Sequence, residues 1–290
     1  MKNYTKILTS LLLSLSLCFS ITINASANFM LLNNQALDEN PSSSTTIIRR
    51  DNNRTTPLPK RFRDLKNLNI SGSAQFRPFQ LTNIIETLNN KDLYIVDLRQ
   101  ESHGFINTLP INFYNREALL NKDFTTTQTL EAEKKDLASI KIGSEVNIQN
   151  SDGKVLETLQ ADKVFSEETL VKENNIFYKR FAVRDGGIPT VEVTDDFIEF
   201  IKNKPPTAHL HFHCKEGQGR TTTFMSLYQM MNNKNKLSLD EILKEQLDAG
   251  GIVLTDSHTR AAFLESFYKY SLDNMDSNFK VPYSTWIKSN

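Results

Sequence analysis

The sequence predicts an α/β domain whose central, mostly parallel sheet is flanked by helices, with a small β-rich inserted domain beside it. The segment Leu93–Leu98 is apolar nearly throughout, as in a strand that is buried on both faces. A second apolar pattern, Leu210 and Phe212, leads through a glycine-containing loop into a helical pattern. Because parallel strands end at the same edge of a sheet, we expect both segments to end near a common site.

The segments that should cover this sheet show the apolar spacing of helices. After the glycine-containing loop, the helical period is kept by Phe224, Leu227, Tyr228 and Met231. Another helix is predicted to begin at Thr194–Asp196, where the acidic residues favour an N-terminus, and to end before Pro205. Two further helices are predicted at Leu239–Leu247 and Thr259–Leu272.

The inserted domain is predicted at about 120–178, where the pattern changes to short alternating strands. Ile140–Ile142 and Val146–Ile148 alternate in polarity, and Ser151–Lys154 contains the Asp-Gly pair of a tight hairpin turn. We therefore expect this segment to form a small β-rich unit that lies beside the main sheet.

The beginning of the chain has the pattern of a secretory signal peptide. Lys2 and Lys6 are followed by the apolar stretch Ile7–Ile23, and Ala25–Ala27 provides a small-x-small cleavage site. We expect cleavage after Ala27, a secreted or periplasmic location, and no stable membrane insertion after cleavage. Residues 28–60 are polar and without periodicity, which predicts a disordered linker and leaves residues 61–290 for the folded domain.

Charge and cysteine content narrow the class of function. The chain has 34 basic and 34 acidic residues, and removing Lys2 and Lys6 leaves 32 against 34, a net charge of −2. This balance gives no support to a nucleic-acid partner or a membrane-surface role. The two cysteines are Cys18 and Cys214, so the processed chain keeps one thiol and can form no internal disulfide. We interpret this thiol as one that is kept for chemistry.

The most informative segment is the loop His213–Thr221, which has the sequence HCKEGQGRT. A strand, a tight loop and a helix N-terminus together point backbone N–H groups and the helix dipole at an anion. The same field favours the thiolate form of Cys214, and the planar fork of Arg220 matches two phosphate oxygens. The loop therefore predicts a phosphate cradle with a nucleophile, whereas a cysteine that only fills core space would need no such surroundings.

Several other segments narrow the relationship. They are Ser71–Phe76, Val96–Gly104, Asp185–Thr190, Gly250-Gly251 and Pro282–Lys288. Over most of residues 57–290 the chain resembles the bacterial protein-tyrosine-phosphatase-like phytases, also called cysteine phytases. The loop alone identifies only the wider superfamily of cysteine-dependent phosphatases, while the D-L-R-x-E-S-H-G stretch and the C-terminal segment indicate the phytases.

The resemblance implies a protein-tyrosine-phosphatase-like fold and a phosphocysteine mechanism that requires no metal and no cofactor. Cys214 would attack phosphorus, Arg220 would stabilise the transferring group, and Asp185 would protonate the leaving oxygen. Thr221 would donate its hydroxyl to the Cys214 sulfur, and His213 would hold the loop through backbone hydrogen bonds. Family members often carry a histidine directly after the acid, where this chain has Gly186.

The remaining candidates are substrate-binding residues. From the loop they are Lys215, Glu216, Gly217, Gln218 and Gly219. Lys215 beside the nucleophile suits a highly acidic substrate, whereas Glu216 would oppose one unless it pairs with a base. Arg180 and Arg184 are candidates for binding distal phosphates, with exposed solvated charges as the alternative.

Alternating histidines at positions 209, 211 and 213 suggest metal ligands, but no second cluster of ligands accompanies them, which favours a structural role. Asp97, Arg99 and His103 could contact substrate or support the loop as buried ion pairs. We expect the protein to be a secreted phosphatase that acts on small polyanionic substrates, first of all inositol polyphosphates such as phytate. The alternatives are a secreted protein-tyrosine or dual-specificity phosphatase, with a phosphoprotein partner, and an inactive phosphate-binding module.

Overall fold

The computed structural model describes residues 46–52, 54–115 and 120–289. The predicted signal peptide, residues 1–27, lies outside these described residues, as does most of the predicted linker. None of the helices in the described part of the chain is long and apolar enough to cross a membrane.

The described residues contain eleven strands. In chain order they are β1 (Ile47–Arg50), β2 (Arg63–Leu65), β3 (Ile70–Ala74), β4 (Leu93–Arg99), β5 (His103–Ile106), β6 (Leu109–Tyr114), β7 (Glu145–Gln149), β8 (Val155–Gln160), β9 (Val164–Phe165), β10 (Phe177–Val183) and β11 (His209–Cys214).

The same residues contain eight α-helices. They are α1 (Pro78–Leu88), α2 (Thr126–Ser139), α3 (Glu167–Glu173), α4 (Val191–Asn203), α5 (Gly219–Met231), α6 (Leu239–Asp248), α7 (His258–Asn274) and the short α8 (Tyr283–Trp286), and a 3₁₀ turn covers Lys66–Leu68.

The central sheet has five strands in the order β10-β4-β11-β3-β2, and all neighbours are parallel except the pair β2 and β3. The two strands predicted from Leu93–Leu98 and Leu210–Cys214 are adjacent, with His213 opposite Asp97. The predicted α/β fold and the shared carboxyl edge of these strands are therefore confirmed.

Apolar residues fill both faces of this sheet. One cluster joins Phe181 and Phe212 of the sheet to Phe197 of α4 and Phe224 of α5, all of them fully or almost fully buried. On the opposite face, a second cluster packs under α1 and α3. Each fully buried side chain of this size contributes about 1.5–3 kcal/mol, so the helices hold the sheet edge, and with it the loop after β11, in a fixed position.

The second sheet has six strands in the order β8-β7-β1-β6-β5-β9. The hairpin of β7 and β8 forms around residues 150–154 as predicted. The second sheet extends beyond the predicted insertion at about 120–178, because β1, β5 and β6 come from earlier parts of the chain and pair with these strands. Ile140–Ile142 is not a strand, since it directly follows α2.

Two further boundaries differ from the predictions. The range 28–60, predicted as a linker, contains β1, whose Ile48 pairs with Phe113 of β6. Helix α4 begins at Val191, because the Thr190 side chain accepts a hydrogen bond from the Val193 N–H and caps the helix there. Helices α6 and α7 lie where the sequence predicts them.

Candidate active site

The loop between β11 and α5 lies directly against strand β3. Gly217 has a φ of +69°, and a Cβ there would overlap the backbone of Ser73 and Ala74, coming within 2.5 Å of the Ser73 carbonyl carbon. Glycine is thus required at this position both by its backbone conformation and by the lack of space. Gln218 precedes the first residue of α5, Gly219, so the helix N-terminus faces the loop.

Cys214 ends β11 and begins the loop. It is only 3 % exposed, and Thr221 Oγ1 of α5 donates a hydrogen bond to its Sγ at 3.2 Å. The predicted pairing of the nucleophile with the Thr221 hydroxyl is therefore present. In the mechanism expected from the sequence, such a donor would stabilise negative charge on the sulfur as it attacks and as it leaves.

Arg220 is buried and reaches across the loop. Its Nη1 and Nη2 atoms lie 2.7 and 3.0 Å from the two carboxylate oxygens of Glu101, and Nη1 also donates to the Val183 carbonyl. Nη2 lies 3.1 Å from Asp185 Oδ1. Burial opposes the charge, but Glu101 and Cys214 outweigh it and raise the pKa of Arg220. The guanidinium therefore stays charged and oriented.

Glu101 was not singled out as a site residue from the sequence. It lies between Arg220 and Arg99, whose Nε donates to Glu101 Oε1 at 2.9 Å. Burial disfavours its charge, yet Arg220 and Arg99 hold the pKa of Glu101 well below its usual range. Its position in the D-L-R-x-E-S-H-G stretch, directly after a strand end, was the available signal.

Asp185 lies on the segment between β10 and α4. Its side chain is 81 % exposed, and its Oδ1 accepts from the Gly186 N–H as well as facing Arg220. Arg260, at the start of α7, donates to the carbonyls of Gly186 and Gly187 at 3.2 and 3.3 Å. The segment is therefore held over the loop, with the carboxyl group open to a bound substrate.

A cavity beside Asp185 has a basic lining that comes from both sheets. Arg184 and Lys215 line it from the side of the central sheet, and Arg49 lines it from β1. Arg49 stacks on the Tyr114 ring at 3.6 Å. Burial lowers the pKa of Lys215, which a carboxylate oxygen of Asp51 counteracts from 3.5 Å. Arg49 was missed from the sequence because its strand was assigned to the linker.

Glu216 points away from this cavity and is half exposed. Its carboxylate pairs with Lys60 at 3.2 Å. This is the pairing with a base that a polyanion-binding loop requires if it carries an acidic residue.

Arg180 does not line the cavity, which corrects its prediction as a distal phosphate ligand. Its side chain is 1 % exposed and its guanidinium lies 2.6 Å from Glu133 and 3.3 Å from Asp97. Both partners are buried, and they raise the pKa of Arg180 against the effect of burial. Asp97 and Arg180 are therefore supporting ion pairs behind the loop.

His213 lies on the same buried side, with its Nε2 at 2.6 Å from Glu167 Oε1. The contact that fixes this residue is therefore with a carboxylate, in place of the predicted backbone hydrogen bonds. His211 contacts the hydroxyls of Ser71 and Ser73, and His209 contacts Ser71, as structural histidines would.

One group in the described part of the chain has the spacing of metal ligands. It consists of Asp97, Glu167 and His213, whose ligand atoms lie within 4.8 Å of one another. Arg180 and His103 already lie 3.3 Å from Asp97 Oδ2. Because these cations balance the carboxylates, the group fits a buried ion-pair network better than a metal site.

Four features occur together at the carboxyl edge of the central sheet: a thiol, a glycine-containing loop, a buried arginine and an acid on a facing segment. This combination defines the site of a cysteine-dependent phosphatase. The family model of the PTP-like phytases, whose description is inositol hexakisphosphate, matches residues 96–232. A PTP-like phytase structure from Bdellovibrio bacteriovorus is 30 % identical, with a TM-score of 0.75, over 84 % of this chain and 95 % of that one. The chain belongs to the PTP-like phytase family.

Two longer proteins are also similar to this chain. The tandemly repeated PTP-like phytase of Mitsuokella multacida is 29 % identical, with a TM-score of 0.76, over 83 % of this chain and 49 % of its own. A PTP-like myo-inositol phosphatase from the same organism, similar to this chain to the same extent, has been solved in complex with myo-inositol-(1,3,4,5)-tetrakisphosphate. The effector protein hopD2 of Pseudomonas syringae pv. tomato is 26 % identical over 79 % of this chain and 53 % of its own. The chain therefore spans about half the length of these two relatives.

Proposed function

We propose that this protein hydrolyses phosphomonoesters, inositol polyphosphates in particular, through a phosphocysteine intermediate. The observation that carries the proposal is the position of Arg220. Arg220 lies at the end of the loop that begins with Cys214, and its guanidinium lies 3.1 Å from the carboxylate of Asp185. A phosphoryl group in the loop would thus have the nucleophile on one side and an acid on the other, as in-line displacement requires.

The reaction has two balanced steps. The Cys214 thiolate donates an electron pair to phosphorus, the bond from phosphorus to the ester oxygen breaks, and Asp185 gives its proton to the departing alcohol. Asp185 then takes a proton from water, whose oxygen attacks phosphorus and releases the Cys214 sulfur and inorganic phosphate. Arg220 and the backbone N–H groups of the loop stabilise the equatorial oxygens in both steps.

The charge of the cavity supports a polyanionic substrate. Arg49, Arg184 and Lys215 surround the space next to Asp185. A second or third phosphate on one substrate would be bound by these cations, whereas a phosphotyrosyl side chain would leave them unused. Tetrakisphosphate bound to the Mitsuokella relative is consistent with this substrate class.

The test compares kcat/KM for inositol hexakisphosphate with that for a phosphotyrosyl peptide. We expect the inositol substrate to be preferred, and Arg184→Gln to reduce that preference by about tenfold, the scale of one charge-assisted contact. Lys244→Gln, which removes an exposed charge that pairs with Asp248 on α6, is the matched control. A preference for the peptide would favour the protein phosphatase, and no turnover of either would favour the inactive binding module.

We also propose that the protein is exported, on the strength of the signal-peptide pattern at residues 1–27. N-terminal sequencing of the protein from the periplasm or medium should begin at Asn28. An intact N-terminus on protein found only inside the cell would contradict export.

A further inference from the structure

A second arginine lies behind the loop and takes no part in the reaction outlined above. Arg63 of β2 is 5 % exposed and lies opposite Gly72 of β3. Its guanidinium carbon is 3.4 Å from the position that a Cβ on Gly72 would take. The guanidinium therefore occupies space that a larger side chain at position 72 would fill.

The guanidinium of Arg63 contacts both the loop and the first turn of α5. Nη1 donates to the Gly217 carbonyl at 3.0 Å and to the Arg61 carbonyl at 3.1 Å, and Nη2 donates to Thr222 Oγ1 at 3.2 Å. These bonds hold the Gly217 carbonyl outward. The loop can then keep its N–H groups turned toward the anion.

Arg63 has no acidic partner. Among the residues that the structure describes, no carboxylate lies within ion-pair distance of its guanidinium, and its Nε has no hydrogen-bond partner. Burial lowers the pKa of Arg63 to about 10, and Cys214 opposes that shift. An unpaired buried cation is costly, which calls for an anion elsewhere in the site.

The charged residues of the loop itself are already paired. Arg220 has Glu101, Lys215 has Asp51 and His213 has Glu167 as partners. Asp185, the acid of the facing segment, also pairs with Arg220. Arg63 is thus a buried cation against this loop without a carboxylate partner, and Cys214 favours its charge as it favours that of Arg220.

We propose that Arg63 is a positioning residue that stabilises the thiolate of Cys214 from behind the loop and fixes the orientation of the loop at Gly217. The proposal rests on the proposed function, in which Cys214 is the nucleophile. Arg63 touches neither the substrate nor the leaving group. Arg63 acts on the fraction of Cys214 that is present as the reactive thiolate at a given pH.

The test follows the alkylation of Cys214 by iodoacetamide, an uncharged reagent, as a function of pH, and quantifies the modified peptide by mass spectrometry. Arg63→Gln keeps a hydrogen-bond donor but loses the charge, and Arg63→Met loses both. We expect both variants to move the alkylation midpoint upward by about one pH unit, which makes alkylation below the midpoint about tenfold slower. Arg63→Lys should stay near the wild-type midpoint.

Arg50→Gln is the control, because Arg50 pairs with Glu157 on the second sheet at 3.4 Å and should leave the midpoint unchanged. Thermal unfolding identifies any variant that does not fold, and either neutral variant at position 63 is sufficient for the comparison. A wild-type midpoint in a folded neutral variant would overturn the proposal. The assay uses no phosphate ester, so it gives its answer even if the proposed substrate is wrong.

Discussion

Glu101 and Arg220 form a two-pronged ion pair, with one guanidinium nitrogen 2.7 Å from Oε2 and the other 3.0 Å from Oε1. Glu101 lies just after β4, and Arg220 lies in α5, the helix that follows β11. This pair sets the plane of the guanidinium before any phosphate is bound. Preorganisation of this kind lowers the cost of binding and of charge stabilisation in the transition state.

Glu101→Gln should therefore reduce kcat/KM by about 10–100-fold, because a tilted fork no longer matches two phosphate oxygens. Arg220 would remain charged, so inorganic phosphate should still bind, but more weakly. Steady-state kinetics and phosphate competition measure the two effects. Glu157→Gln, which removes the exposed partner of Arg50, is the control, and equal activity in the two variants would contradict the role of Glu101.

Cys214→Ser should abolish turnover and leave phosphate binding largely intact, since a serine hydroxyl is a poor nucleophile without a dedicated base. The measurement is turnover of inositol hexakisphosphate together with phosphate binding by calorimetry. A tenfold slower rate corresponds to a barrier higher by only about 1.4 kcal/mol. If Cys214→Ala kept a tenth of the wild-type rate, covalent catalysis at this residue would be ruled out.

Asp185→Asn should slow inositol phosphate hydrolysis by about 10²–10⁴-fold, the usual contribution of a general acid. The loss should be much smaller for an aryl phosphate, because its phenolate leaves without being protonated. Rates on the two substrates give the comparison. Asp195 is the control carboxylate, since its Oδ1 accepts from the Ser284 N–H in a structural contact. Equal losses on both substrates would assign the acid role to another residue.

Gly217→Ala should destabilise the protein and weaken phosphate binding together. Gly153→Ala is the matched control, because Gly153 has a φ of +83° but no atom within 4 Å of the added Cβ. Gly153→Ala should cost only the left-handed backbone conformation, about 1 kcal/mol, whereas Gly217→Ala adds the overlap with β3. Denaturant unfolding of both variants gives the difference, and equal costs would mean that the loop can move away from β3.

Acid should remove the stabilisation that comes from the buried carboxylates. Despite burial, His213 and His103 hold the pKa of Glu167 at about 2, below its ordinary value of 4.5. A carboxylate with a lowered pKa in the folded state contributes stability above about pH 4.5, and this is lost as the pH falls toward 2. Glu167→Gln should lower the free energy of unfolding by about 3–5 kcal/mol near neutral pH, as for a broken buried pair.

The difference between Glu167→Gln and wild type should shrink as the pH falls from 4.5 to 2. Unfolding by urea at a series of pH values measures it. Glu168→Gln is the control, because Glu168 makes only an exposed pair with Lys172 on the same helix. A difference that stays constant over this pH range would mean that the Glu167 charge is not what stabilises the fold.

The nucleophile loop and the two main strands could be predicted because their signals are local. The apolar runs, the glycines and the spacing of Cys214 and Arg220 lie within short stretches of sequence. Because β4 and β11 are adjacent parallel strands, the loops that follow them lie at the same edge of the sheet. Local signals also placed α6 and α7.

The errors arise where pairing is long-range or where local signals compete. Strand β1 borders a polar stretch, and its partners β6 and β7 lie some sixty to one hundred residues later in the chain. Arg180 looks like a surface cation until Asp97 and Glu133 meet it in the interior. Thr190 and Thr194 are both good helix caps, but Thr194 Oγ1 instead donates to the Thr190 carbonyl one turn inside α4.

The basic cavity draws on both sheets: Lys215 and Arg184 come with the reaction loop and its facing segment, while Arg49 and Tyr114 come from the second sheet. In the proposed function, part of the substrate-binding surface therefore lies on strands that carry none of the reacting groups. Substitutions in β1 or β6 can reshape the walls around a substrate while the nucleophile, its arginine and its acid stay in place. Under the proposed function, sequence changes in the second sheet can therefore alter substrate preference without altering the reacting residues.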